Sequence, residues 1–292
     1  MEELGYIIVF VAAVSVLITF VNGNRASPVL AIVNRWLRWI VFSMAIAYLI
    51  HRFEWSTRPY WVLALTAFLL WFLAETLYNW AAIKALSISD IPLFPRFSPN
   101  TSQQEWPMQQ RFTVVRDWLQ ENGFKKMQAI QADLGMDLKI RSCVYEDSER
   151  KIRFQVMFIP HRTGTISPCY CFTSQTENGT RLITDNHFMP FGGFYPENWK
   201  VVRTPWTRSP AKLLRRHERR QEICKENIVP FSADPIDELN RQQAVLERVN
   251  TELGFLIPHH LREEHGKITR EGRYRVWKEV WLLNYLGATN RY

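Results

Sequence analysis

The chain opens on an uncharged apolar run, LGYIIVFVAAVSVLITFVNGN, in which 21 successive residues from Leu4 to Asn24 carry no charge. At about 1.5 Å of rise per helical residue, such a run crosses a hydrocarbon core of about 30 Å. The pattern predicts a transmembrane helix over about 4–24, a second over about 28–50 and a third over about 60–80. The second starts at Ser27-Pro28, a capping residue followed by a first-turn proline. The third, YWVLALTAFLLWFLAETLYNW, contains a single acid, Glu75. A cleaved signal peptide fits poorly, because MEELG is acidic where a basic region belongs and no small-residue cleavage motif follows. Trp36, Trp39, Trp55, Tyr60, Trp61, Tyr78 and Trp80 lie toward the segment ends, where interfacial aromatic belts form.

The pattern then changes. Four prolines interrupt residues 85–108, which read as an extended linker leaving the membrane surface. From 109 to 292 the periodicities alternate between helix and strand. QQRFTVVRDWLQEN sets Phe112, Val115, Trp118 and Leu119 at helical spacing and ends before Gly123. LKIRSCVYE and KIRFQVMFI alternate with period two across an EDSER turn. CYCFTSQTENGTRLITDN centres on Asn178-Gly179, a strong hairpin signal; as a two-residue turn it would set Asn186 opposite Cys171 and His187 opposite Tyr170. Helices are expected from Ser209, from about Asp234 and from Thr269. The fold class expected is three transmembrane helices plus a cytosolic α+β domain, an antiparallel sheet of four to five strands with helices over one face.

Charge orients this layout. Arg25, Arg35 and Arg38 precede or open the second span, and Lys84 and Arg96 follow the third, whereas the 51–59 loop has only Arg52 and Arg58. The bias toward cytosolic Lys and Arg predicts a multi-pass inner-membrane protein with its N-terminus outside and its C-terminal domain in the cytoplasm. An ionisable group inside the bilayer costs about 2.5–3.5 kcal/mol unless it is paired or reaches the interface. Glu75 is therefore expected to pair with Arg38, or alternatively with Arg35, as a structural clip between spans two and three.

The net charge is +8, of which residues 85–292 carry +6. Much of it lies in RSPAKLLRRHERR. A helix there sets Lys212, Arg215, Arg216, Arg219 and Arg220 on one stripe, with Leu213, Leu214, His217 and Cys224 opposite. Near a bilayer such a stripe suits anionic lipid headgroups or an acidic protein partner. Nucleic acid is not expected, since no stacking platform or recognition motif accompanies it. The last helix places Tyr274, Trp277, Trp281 and Tyr285 on one face, suited to packing on the sheet or to a membrane interface.

Little else suggests chemistry. Cys169 and Cys171 share a strand face, and with His161 from the PHRTGT loop they form the only metal candidate, short of a fourth ligand. HHLREEH lacks the i, i+4 histidine pair of a zinc-protease helix. No catalytic residue, no cofactor and no metal is assigned, and buried or half-buried reduced thiols are the expected state. Binding, scaffolding or regulation is the favoured role; a membrane-associated enzyme using His161, His187 or the thiols in a cleft is the rival.

NGF at Asn122–Phe124, NGTRLITDN, LLRRHERR and KITREGRYRVWKEVW occur in an order that resembles a group of uncharacterised bacterial multi-pass membrane proteins. The resemblance spans roughly 109–285 and implies a bacterial inner-membrane protein. It implies no activity and no catalytic residue.

Overall fold

The structure is a computed structural model that describes residues 2–289 except 26, 103, 136–137 and 161–164. Three long helices come first: α1 (Glu2–Arg25), α2 (Pro28–Arg52) and α3 (Tyr60–Ile88). Each is long and apolar enough to cross a membrane. Their outer faces leave Phe10, Phe20, Leu69 and Leu77 exposed, a pattern that lipid, not water, accommodates. Within the α1–α2 contact, Ser15 donates to Asn34 Oδ1 at 2.7 Å and Asn34 Nδ2 donates to Thr19 Oγ1 at 2.8 Å. Polar groups that cannot meet water thus satisfy one another across the helix pair.

α3 runs past the expected end near Trp80, because AAIKALSI offers good helix formers and no breaker before Ser89. The extra turns carry Ile83 and Ser87 into the following domain, where Ser87 Oγ accepts from the backbone N–H of Ile268 at 2.9 Å.

That domain comprises β1 (Phe97–Pro99), α4 (Gln110–Glu121), β2 (Lys125–Asp133), β3 (Lys139–Glu146), β4 (Arg153–Pro160), β5 (Ile166–Thr176), β6 (Arg181–Asp185) and β7 (Trp199–Arg203). It continues with α5 (Pro210–Ile223), β8 (Ile228–Val229), α6 (Pro235–Glu252), α7 (Arg262–His265) and α8 (Arg270–Trp281), then a π-helical turn, Leu282–Leu286. The strands form one sheet in the order β1 to β7, with β8 beside the end of β5. All pairs are antiparallel except β6–β7, which is parallel.

The architecture is the expected α+β one, with differences of detail. The sheet has eight strands, not four to five; β1 and β8, at three and two residues, are too short to show alternation. Residues 85–108 are not a free spacer. Phe94 and Phe97 are buried, and β1 pairs with β2. Helices cover both faces of the sheet. Phe112, Val115, Leu119, Leu213 and Leu214 of α4 and α5 pack on Cys143, Tyr145, Phe154, Phe158 and Phe172, whereas Leu239 of α6 packs on the opposite face with Ile130, Ala132 and Val144.

The hairpin register is shifted by one from the two-residue expectation. Gln175 pairs with Arg181 and Cys171 with Asp185, so the loop is the three residues Glu177-Asn178-Gly179. Gly179 takes φ +77°, the left-handed residue of a three-residue loop, and this moves every later partner by one.

α6 also closes the β1 edge. Asn240 Oδ1 accepts from the Phe97 N–H at 2.7 Å, and its Nδ2 donates to the Phe97 carbonyl at 2.9 Å. Asn250 makes the same two contacts with Phe194, at 2.7 and 2.9 Å.

Candidate anion-binding cleft at the membrane face

The C-terminal helix does not pack on the sheet alone; its aromatic end docks on the spans. Trp281 lies 5.8 Å from Trp39 and 5.0 Å from Phe72 by ring centroid. Tyr285 lies 5.2 Å from both Trp36 and Trp39. Trp39 is consequently buried and Trp36 half-buried, so both tryptophans pack against the domain's C-terminal helix. The π-helical turn matters here. Trp36 Nε1 donates to the Tyr285 carbonyl at 2.9 Å, and Tyr285 donates its hydroxyl to Glu75. Glu75 also accepts from Trp71 Nε1 at 3.0 Å and pairs with Arg35 at 3.4 Å. The partner is Arg35; Arg38 is exposed on α2. Tyr285 selects between them, because the Arg35 guanidinium stacks over its ring at 5.5 Å.

A short loop then joins three parts of the molecule. Asn186, just past β6, accepts from the Tyr170 N–H through Oδ1 at 2.6 Å and donates to the Thr207 carbonyl at 2.9 Å. This fixes residues 204–208 against the sheet. From that loop Trp206 Nε1 donates to the Gly287 carbonyl, and Arg208 donates to the Arg25 carbonyl at 2.5 Å. Gly287, at φ +60°, is needed because a Cβ there would collide with the Trp206 indole.

These contacts enclose a cleft of about 980 Å³ between the α1–α2 turn, the start of α4, the start of β5, the 204–208 loop and the π-helical turn. Among the described residues four arginines line it, Arg25, Arg35, Arg111 and Arg208, and no Asp or Glu does. Arg35 is neutralised by Glu75 from behind. Arg111 donates to the Ile166 carbonyl at 2.6 Å and to Gln109, both neutral. Arg208 has its pKa pushed down by burial and by the neighbouring Arg111. Tyr170 lines the same wall, and burial raises its pKa, so it stays an uncharged phenol. The cleft therefore concentrates positive charge at Arg25, Arg111 and Arg208 that no carboxylate among the described residues compensates. None of this was visible in the sequence, since the lining comes from six segments distant in the chain, the sixth being Asn186 and Phe188 after β6.

The expected basic stripe divides in two. Lys212, Arg215, Arg216 and Arg219 are exposed on α5. Arg220 is not available to a partner in the same way: it donates to the carbonyls of Ile183 and Lys200 and to Thr184 Oγ1, clamping α5 to β6 and β7. Its neighbour His217 is fully buried between Ser174 Oγ at 3.0 Å and Thr184 Oγ1 at 2.9 Å. Ser174 gives its own proton to the Lys151 carbonyl at 2.7 Å. Nε2 of His217 must therefore carry the hydrogen, while Nδ1 accepts from Thr184. Burial and then Arg220 push the imidazole down to about 3. A Ser-His pair this enclosed offers no nucleophile to a substrate.

The thiols behave likewise. Cys143 and Cys171 are pushed up to about 12 and Cys169 also upward, each mainly by burial, so all three are thiols and not thiolates at neutral pH. His187 lies 4.0 Å from Asp185, with its pKa lowered chiefly by burial. Asp185 in turn faces Arg203 at 3.4 Å, and Arg203 reaches Glu279 of α8 at 3.0 Å. This charged cluster ties the sheet to the helix that docks on the spans. Among the described residues no group of three or more His, Cys, Asp or Glu side chains is placed to hold a metal ion. His161 lies outside the described residues. The chain matches no protein-family model, no curated protein and no solved structure, so the cleft's geometry alone indicates its chemistry.

Proposed function

We propose that this is a multi-pass protein of the bacterial inner membrane, N-terminus outside and α+β domain cytoplasmic, whose domain acts in binding or regulation by holding an anionic ligand at the membrane face. The observation that carries the reading is a cleft on which Arg25, Arg111 and Arg208 converge with no carboxylate on its lining among the described residues, Arg35 being already paired with Glu75. Like charges brought together repel until a counter-charge arrives, and planar guanidinium forks suit phosphate or carboxylate. The orientation rests on Arg25, Arg35, Arg38 and Lys84 at the domain side of the spans, against Arg52 and Arg58 at the far side. The exposed Lys212, Arg215, Arg216 and Arg219 extend the positive surface from Arg208 along α5, and so attract anionic headgroups or an acidic partner at longer range.

Thermal melting of the full chain in nonionic detergent, with and without inorganic pyrophosphate, tests the anion reading. The melting temperature is expected to rise for wild type and not for Arg25→Gln or Arg208→Gln. Equal responses in all three would remove it. Fusions of a cytoplasm-active fluorescent reporter and a periplasm-active phosphatase to the C-terminus test the orientation; phosphatase activity there would reverse it.

A further inference from the structure

We infer that the ligand of this cleft is a membrane phospholipid with an anionic headgroup, received sideways from the bilayer; this rests on the anion-binding reading above. The cleft has two chemically different ends. Arg25, Arg111 and Arg208, with Asn22 and Ser27, form the end at the α1–α2 turn and the domain. Val29, Leu30, Ile32 and Leu283 form an apolar wall that runs from that turn along the spans, with Thr19 and Arg35 at its far reach. Thr19 lies six residues before the end of α1 and Arg35 seven beyond the start of α2. At about 1.5 Å per residue the cleft therefore reaches about 10 Å along the spans. A soluble anion fills only the first end, whereas a glycerophospholipid fills both, its phosphate at the interface and its acyl chain beside α2.

Two further features agree. The first turn of α2 points its positive end into the cleft, and the Ser27 side chain makes no capping bond there. Trp206 also lines the wall, and indoles favour a bilayer interface. Arg35 is held by Glu75, so the headgroup falls to Arg25, Arg111 and Arg208. A lipid so placed touches α1, α2, α4 and the 204–208 loop together, and its presence couples the domain to the spans.

The test uses the full chain in nonionic detergent, with native mass spectrometry of bound lipid and thermal melting as readouts. The probes are a long-chain phosphatidylglycerol, a phosphatidylcholine of the same chains, and glycerol phosphate as the headgroup alone. We expect one phosphatidylglycerol per chain, retained over phosphatidylcholine, and affinity weaker by about tenfold in Arg208→Gln, as loss of one charge-assisted contact implies. Arg208 also bonds the Arg25 carbonyl. Arg25→Gln, an exposed side chain, is therefore the second variant and should show the same loss. If glycerol phosphate raises melting as much as the lipid does, the anion reading stands and the lipid inference is overturned. Equal retention of both lipids, or phosphatidylglycerol retained undiminished by both variants, marks bulk annular lipid and also overturns it. No response to lipid, glycerol phosphate or pyrophosphate removes both readings together.

Discussion

Tyr285 donates its hydroxyl to Glu75, a residue 210 positions earlier in the chain. Glu75 lies inside the third apolar helix, so this bond joins the domain's last turn to a membrane span. With Arg35 at 3.4 Å and Trp71 at 3.0 Å, the carboxylate has three partners from three elements.

Replacing Glu75 with Gln removes the counter-charge of Arg35 while keeping the shape. The expected loss is about 2 kcal/mol, as for hydrogen bonds to charged groups, and Tyr285→Phe should cost about half as much. Melting of the full chain in mild detergent, followed by tryptophan fluorescence, should fall by several degrees for Glu75→Gln. Unchanged melting in both variants would show that the clip contributes nothing. Arg38→Gln, an exposed position, should leave melting within about 0.5 kcal/mol of wild type.

On α5, Arg220 and Lys212 should part company. Arg220→Gln removes donors to two carbonyls and a threonine hydroxyl, with an expected cost of about 2 kcal/mol. Lys212→Gln touches an exposed side chain and should be neutral to within about 0.5 kcal/mol. Chemical unfolding of the two variants side by side checks this; equal midpoints would mean the α5–sheet clamp is not made by Arg220.

His217 gives stability a pH dependence whose sign is determined. Its folded pKa is depressed from 6.5 to about 3, so the unfolded chain takes up the proton first as pH falls. Its contribution is complete above about pH 6.5 and is lost progressively toward pH 3, with a slope of at most about 1.4 kcal/mol per pH unit. His217→Gln cannot titrate, so its stability curve between pH 4 and 6 should be flatter than that of wild type. Parallel curves would show that the ring is not held neutral.

Gly287→Ala forces a side chain into the Trp206 indole at a left-handed position. The π-helical turn must then shift, with an expected loss of about 2 kcal/mol from backbone strain and the broken Trp206 contact. A change in tryptophan emission together with lowered melting is the signature. Emission and melting identical to wild type would show that the turn accommodates a Cβ.

The spans were legible because each is a local property: twenty or so apolar residues need no distant partner to declare themselves. Helices α5 and α8 were legible for a similar reason, since Ser209 and Thr269 cap them through Lys212 and Gly272 N–H groups as short-range spacing suggests. What eluded the sequence was set by partners far along the chain. Whether Glu75 takes Arg35 or Arg38 depends on where Tyr285 stacks. The hairpin register turned on one loop residue, Glu177, which no alternation pattern assigns to loop or strand. β7 is recognised only by lying parallel to β6, from Arg181–Trp199 to Asp185–Arg203. The cleft is the extreme case, since Arg25, Arg111 and Arg208 share no local pattern.

Asn240 and Asn250 imply something about how the sheet stops growing. Each amide presents one acceptor and one donor to a single residue's N–H and C=O, the same pair of bonds a neighbouring strand would offer. At Phe97 this satisfies the outward-facing groups of the edge strand β1, a place where another chain could otherwise add by strand pairing. α6 thus imitates a strand at two points while remaining a helix, and the β1 edge is sealed against recruitment of further strands.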